Sequence, residues 1–412
     1  MYRQVEESQT LLINTQSKNL VDQNKRVIKF GFGQSPFMPP KPVLEALKNA
    51  VDHKEYSSVQ GDIKLRQCIA RFHKVHNGLH VTPENILIAP GSKILIYNIL
   101  MTFENADVFI PTPAWVSYAP QAKLAGHNII KLETSYEERW RVHPTTINNA
   151  VKDKQHEVSI MILNYPGNPD GLTYTEDELK NIAQVAKILN MLVISDEIYG
   201  LLNHTGSHLS FANYYLEKTI TTTGLSKWCG AGGWRFGVAL LYDSIEPEFK
   251  QTLIGIGSET YSCAPTPVQV AAKAAYKNYN EMKVFIDQQT QILKQIGNFC
   301  VERLSLSGIQ VHPPEGGFYI FPDFSLYKEK LEYYGIRTST ELCEQLLNDT
   351  GVAILPASAF GFEEEYLAAR LAYVDFQEPV NSAVFDLSTD CPNVIEGIEK
   401  ICNWIIAKTQ SL

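Results

Sequence analysis

Short apolar or β-branched runs recur through the first half of the chain, and each is closed by a burst of small and polar residues. Ile86–Ala89 runs into Pro90-Gly91-Ser92-Lys93, and Val108–Ile110 into Pro111-Thr112-Pro113-Ala114-Trp115. Val158–Leu163 runs into Asn164-Tyr165-Pro166-Gly167-Asn168-Pro169-Asp170-Gly171, Met191–Ile194 into Ser195-Asp196-Glu197-Ile198-Tyr199, and Thr219–Thr223 into Gly224-Leu225-Ser226-Lys227. Runs of this length bounded by turn residues read as strands buried on both faces. Helical spacing fills the gaps: Pro42–Val51, Ile63–His73, Ile94–Phe103, and Thr175–Leu189 with Leu179, Ile182, Ala183 and Ala186 on one face. Glu176 and Glu178 at the start of the last suit the helix dipole. Strands alternating with helices predict an α/β fold, a mainly parallel sheet flanked by helices. Ligands of such sheets sit beyond the carboxyl ends of the strands, and every polar burst above falls at such an end.

The rest of the chain differs in rhythm. Residues 1 to about 30 read as an amphipathic arm, followed by the glycine- and proline-rich loop Phe30–Pro40. After Gly257 the pattern is helical, Thr266–Tyr279 and on to about Arg303. Ser339–Thr350 reads as a helix, Gly351–Leu355 as a strand and Val394–Ile406 as a closing helix, which together predict a smaller α+β domain. The expected division is an arm with part of the small domain over 1–50, a large domain over 51–285 and the small C-terminal domain over 286–412.

Composition narrows the function classes. A net charge of −9 argues against a nucleic-acid binder. Seven scattered cysteines without a C-x-x-C pair suggest a reducing compartment and no metal site. The N-terminus lacks an apolar signal core and no apolar run is long enough for a bilayer, so the expectation is a cytoplasmic protein without membrane contact.

The chemistry concentrates in Thr221–Gly237, where one lysine, Lys227, precedes Arg235 among glycines. A lysine that attacks carbonyls needs a fixed position and a lowered pKa. An arginine fork suits a phosphate, and glycines let backbone approach a ligand. Pyridoxal phosphate is the cofactor that fits such a pair. Asp196 follows an apolar strand, so its carboxylate needs a cation, which a protonated pyridine nitrogen would supply. Tyr199 and Asn168 are placed to hydrogen-bond the ring's phenolic oxygen, and Trp115 to stack on the ring. The turn at Gly91, Ser92 and Lys93 opens a helix and offers free amides to an anion. Arg370, within Ala368–Ala372, matches an α-carboxylate. Read singly, each has a plainer alternative: a structural ion pair or N-cap for Asp196, a packed tyrosine, a turn asparagine, a core tryptophan, an internal salt bridge for Arg370.

Together, Ser226-Lys227 with Arg235 and Gly237, Asp196-Glu197 with Tyr199, and Asn168-Pro169 with Gly171 occur in an order that resembles the pyridoxal-phosphate-dependent aminotransferases of fold type I, class I and II. The resemblance runs from about Phe30 to Trp404. It implies that Lys227 carries the cofactor and shuttles the proton, that Asp196 faces the pyridine nitrogen, and that Tyr199 and Asn168 face the phenolic oxygen. It implies further that Gly91, Ser92, Lys93, Ser226 and Arg235 hold the phosphate, that Trp115 stacks, and that Arg370, Gly33, Trp115 and Asn168 meet the substrate. Tyr56 resembles a tyrosine reaching the neighbouring subunit's phosphate, which implies a homodimer. The implied reaction moves an amino group from an L-amino acid to a 2-oxo acid. A lyase of the same fold would carry the same groups, and a cofactor-sensing regulator would need a basic domain ahead of the fold. Gly224, Asp170 and Ala357 stand where serine, threonine and glycine are usual. Candidates for a distal substrate group are Arg139, Arg141, Arg337 and Lys93, and Phe32 and Phe37 would suit an apolar side chain.

Overall fold

Alternation inside the apolar runs decides the architecture. In Val108-Phe109-Ile110, the outer two side chains pack into one apolar layer with Ile160, Ile162 and Ile194, while Phe109 packs into another with Met161, Leu163 and Val193. A strand apolar on both faces must be covered on both, and helices do so here. The computed structural model describes residue 7, residues 9–377 and residues 385–410. Residues 1–6 and 8 of the expected arm, and 378–384 and 411–412 of the expected C-terminal part, lie outside the described residues.

Strands are numbered along the chain: β1 (Ile28–Lys29), β2 (Ile86–Ala89), β3 (Asp107–Thr112), β4 (Asn128–Glu133), β5 (Ser159–Asn164), β6 (Leu192–Asp196), β7 (Thr219–Gly224), β8 (Gly237–Leu240), β9 (Tyr319–Ile320), β10 (Val352–Ala353), β11 (Leu355–Pro356) and β12 (Ala369–Ala372). Seven form one sheet in the order β2-β8-β7-β6-β5-β3-β4. Every pairing in it is parallel except the two made by β8. The α/β class and the mainly parallel sheet are as the sequence predicts.

Two strands of this sheet have no counterpart in the sequence reading. β4 is an edge strand whose outward residues are exposed, so it lacks the apolar run of its neighbours. β8 is four residues long and follows the glycine-rich segment. The helix Glu176–Ile188 is held at its start by more than the dipole: Thr175 and Glu178 form a reciprocal capping box.

Two further sheets complete the fold, the antiparallel β11-β12-β9 from the second half of the chain and the parallel pair β1-β10, which joins residues 28–29 to residues 352–353. The strand expected over 351–355 is therefore two, interrupted at Ile354, because β10 turns to β1 and β11 to β12. A helix at Pro247–Thr260 begins ahead of the one expected after Gly257. The expected division at 285/286 falls within the continuous helix Tyr279–Leu306. No helix among the described residues is long and apolar enough to cross a membrane.

Candidate active site

Register builds the floor of the site. Asn164 ends β5 opposite Asp196 of β6, and Asp196 lies opposite Thr222 of β7, so three polar residues stand side by side at the carboxyl edge of the sheet. Asp196 Oδ2 accepts from the Tyr118 hydroxyl at 2.6 Å and Oδ1 from Thr222 Oγ1 at 3.1 Å. Burial lifts this carboxyl to about 6 against the pull of those hydroxyls. It has no ion-pair partner among the described residues. The adjacent Glu197 engages other groups: His208 Nε2 at 2.9 Å and the Ser195 and Ser210 hydroxyls at 2.8 and 2.7 Å satisfy it away from the cavity. Asn164 Nδ2 donates to the Asp196 carbonyl and its Oδ1 accepts from the Asn168 amide, which fastens the Asn168 loop to the Asp196 strand.

An anion corner forms where β2 ends. Gly91 has φ +100°, a conformation suited to glycine, and a Cβ there would run into the Arg235 guanidinium. The helix Ser92–Leu100 starts next, with its free amides. Because β8 runs against its neighbours, Arg235, two residues ahead of Gly237, arrives at the same edge. Arg235 is itself left-handed (φ 55°) and is anchored by Nη1 to the Gly232 carbonyl at 2.8 Å. Ser92, Lys93, Ser226 and Arg235 all line the cavity.

Two cations face that cavity from other walls. Lys227 Nζ donates to the Gly33 carbonyl at 2.8 Å and lies 5.3 Å from the Tyr199 ring centre. Burial lowers its pKa, with Arg370 and Arg235 adding to the effect and Tyr319 opposing it. Arg370 is 1% exposed. Its Nη1 donates to Asn168 Oδ1 at 3.0 Å and its Nη2 to the Gly31 carbonyl at 2.6 Å, while Nε has no partner. No carboxylate pairs with it among the described residues, so the internal salt bridge is not its role, and burial depresses its pKa.

The cavity is about 430 Å³ and is lined by Gly33, Ser92, Lys93, Trp115, Asn168, Asp196, Tyr199, Ser226, Lys227, Arg235 and Arg370 among the residues singled out from sequence. That volume suits a small organic ligand. Tyr56 is 90% exposed and does not line it. Phe32 is in the wall, whereas Phe37 is buried in the core beside Phe376. Of the distal-group candidates, Arg139 is held by Glu315 at 2.7 Å and Arg141 by Asp170 at 2.8 Å. Arg337 is paired with Glu332 at 3.4 Å and does not line the cavity. Lys93 does, with Nζ 5.4 Å from the Trp115 ring centre. Sequence reasoning missed Asn164, Tyr118, Thr222 and Tyr319. Tyr118 carried one signal, its three-residue offset from Trp115 at a helix start; Tyr319 carried none.

A buried amine, a buried acid without a cation and a buried arginine without an anion, set at the carboxyl edge of a wound sheet, are the groups that an amino-group transferase needs. The profile of the class I and II aminotransferases matches residues 25–374, and the chain belongs to that family. Its members in general work with pyridoxal phosphate. The aspartate aminotransferase of Bacillus sp. strain YM-2 is 31% identical over 363 residues, covering 86% of this chain and 89% of that one. The asparagine–oxo-acid transaminase of Streptococcus mutans is 30% identical over 392 residues, covering 92% and 96%. The aspartate aminotransferase of Thermus thermophilus solved with maleate shares the fold at a TM-score of 0.84 and 24% identity, over 98% of this chain and 100% of that one. The chain is thus an aminotransferase enzyme, and the lyase alternative is not favoured.

Proposed function

We propose that this aminotransferase binds pyridoxal phosphate through Lys227 and takes an L-amino acid with a short polar side chain, aspartate or asparagine, as donor and a 2-oxo acid such as 2-oxoglutarate as acceptor. The observation that carries this is one cavity containing the buried Lys227 amine and an Arg370 guanidinium that lacks a carboxylate. The residues fit the cofactor on three counts: a carboxylate without a cation at Asp196, a glycine-only approach between Gly91 and Arg235, and an amine whose pKa burial lowers. Arg235, Ser92, Ser226 and the amides at Gly91–Lys93 would hold the phosphate, Trp115 would cover the ring, and Tyr199 and Asn168 would meet its phenolic oxygen.

The chemistry the bound cofactor supplies is an aldehyde to carry the amino group and a ring to spread the charge left by the α-proton. Arg370 would orient the substrate by its α-carboxylate, beside Gly33 and Asn168, which fixes the α-carbon before proton transfer. The Lys227 amine, once free, would act as base for the α-proton, and burial, which lowers its pKa, favours the neutral form that this role needs. Asp196 would keep the ring nitrogen protonated by remaining an anion beside it.

Lys93 is the cation proposed to read the distal group, since Arg139 and Arg141 are already held by acids. Two relatives act, by their names, on aspartate and asparagine. A homodimer is proposed too, with the exposed Tyr56 completing the partner's site. The odd, scattered set of free thiols supports a cytoplasmic setting.

The test is reconstitution with pyridoxal phosphate, borohydride reduction and peptide mapping, followed by a panel of amino donors with 2-oxoglutarate. The label is expected on Lys227, and aspartate or asparagine should lead. Lys93→Met should cut kcat/KM for that donor by roughly tenfold, the loss of one charge-assisted contact, and spare alanine. Label elsewhere, a leading apolar donor, or pyruvate and ammonia formed without any acceptor would each overturn the reading.

A further inference from the structure

Tyr319 touches the Arg370 guanidinium and the Tyr199 phenol, and it shares a carbonyl neighbour with Lys227. Its hydroxyl is 2.9 Å from that of Tyr199 and 3.5 Å from the Gly33 carbonyl, the same carbonyl that accepts from Lys227. The Arg370 guanidinium carbon lies 4.7 Å from the centre of its ring. Pairing of β9 with β12, Tyr319 opposite Ala372 and Ile320 opposite Leu371, holds it next to the strand that carries Arg370. A Cβ on Gly33 would occupy the position of the Tyr319 hydroxyl, so the glycine at 33 is matched to this tyrosine.

A phenol has one hydrogen to donate. If Tyr199 spends its hydrogen on a group in the cavity, the 2.9 Å contact requires Tyr319 to donate to Tyr199. Accepting that bond polarises the Tyr199 hydroxyl and strengthens it as a donor. The ring face meanwhile limits how Arg370 can rotate, and a stacked guanidinium keeps its edge for hydrogen bonds. Resting on the reading of Lys227, Tyr199 and Arg370 given above, we propose that Tyr319 is a positioning residue for transamination. Its hydroxyl turns Tyr199 into a one-way donor toward the cofactor, and its ring sets the plane in which Arg370 receives the substrate carboxylate. Cofactor alignment and substrate alignment are therefore set by two parts of one side chain and can be separated.

Two variants separate them. Tyr319→Phe removes the hydroxyl and keeps the ring; Tyr319→Leu removes both. The first readout is the pH midpoint of the visible absorption band of the cofactor-loaded protein. A donor to the phenolic oxygen favours the high-pH form, in which charge is concentrated on that oxygen, so weakening the donor moves the midpoint up. Y319F should raise it by roughly half a pH unit, the size of one lost neutral hydrogen bond. The shift should vanish when Y319F is made in a Tyr199→Phe background. The second readout is KM for the amino donor: close to wild type in Y319F, and raised roughly tenfold in Y319L.

An unshifted midpoint in Y319F, or the same shift with and without Tyr199, overturns the hydroxyl's role. Equal KM values in Y319F and Y319L overturn the ring's. Should Y319L fail to fold, the Tyr199 cycle still decides the hydroxyl's role, and Tyr319→Met takes the place of Y319L in the KM comparison, where a KM equal to that of Y319F overturns the ring's role. A wild type with no borohydride-fixed band would instead sink the Lys227 reading, and the Tyr319 proposal with it; a normal band and an unmoved Y319F sink only the latter.

Discussion

Arg370→Leu tests what a buried guanidinium without a carboxylate is for. Arginine has five N–H donors, and Arg370 commits two of them, to Asn168 Oδ1 and the Gly31 carbonyl. Both acceptors are neutral, so the positive charge stays uncompensated, and burial shows its cost in a depressed pKa. A substrate carboxylate entering the cavity would meet that charge where solvent screens it little. Truncating one side of a buried charged pair typically costs 2–5 kcal/mol in binding. Because Arg370 already satisfies part of its fork, the lower half of that range applies, about 3 kcal/mol. That is a drop of roughly 150-fold in kcat/KM at 1.36 kcal/mol per decade. The assay compares the amino acid with the amine that lacks its carboxylate. R370L should lose the full factor on the amino acid and almost nothing on the amine, since the partner charge is then already gone. Equal losses on both would refute the reasoning, for they would mean that Arg370 acts on the fold and not on the carboxylate. The melting temperature of the cofactor-free protein is the control: removing an unpaired buried charge should not lower it by as much as removing a paired one.

Two further outcomes follow from buried acids. Asp196 has its carboxyl lifted from 3.8 to about 6 by burial, so the folded, cofactor-free protein holds this proton more tightly than the unfolded chain. Its stability contribution is full below about 3.8 and is lost as pH rises through about 6, about 3 kcal/mol in all. Asp196→Asn should abolish that slope, so urea titrations of both proteins at pH 4 and pH 7 should show the variant gaining on wild type as pH rises; a constant difference would count against it. Asp170→Ala leaves Arg141 buried and unpaired where the ion pair is 2.8 Å, and should cost about 3–5 kcal/mol. Adding Arg141→Met should restore much of the loss, and a single-variant cost below about 1 kcal/mol, ordinary for a surface change, would show that the pair is not what holds the two segments.

How much of this was legible in the chain depends on the range of the interaction involved. Asp196 and the Gly91 turn were readable because each follows an apolar run, and Lys227 because it follows the β-branched run Thr219–Thr223; in such a sheet ligands sit at the edge where these buried runs end. Arg370 was readable as anomalous, a charge among alanines and leucines, but its lack of a carboxylate could be seen only once the Gly31 and Asn168 acceptors were in place. Tyr118 and Thr222 were invisible as partners of Asp196 because they lie 78 and 26 positions away, Thr222 joined to it by strand register and Tyr118 by the packing of a helix start over the sheet edge.

The reversal of β8 is the sharpest case. Nothing in Gly237–Leu240 announces an antiparallel strand, yet that reversal delivers Arg235 to the same edge as the carboxyl end of β2 and so assembles the anion corner. Had β8 run parallel, the residues ahead of it would have opened at the opposite edge, on the far side of the sheet from Lys227. The two halves of the motif, lysine and arginine, are close in sequence for a topological reason: one strand ends at the site, the next begins there, and the glycine-rich turn between them has only to cross the cavity mouth.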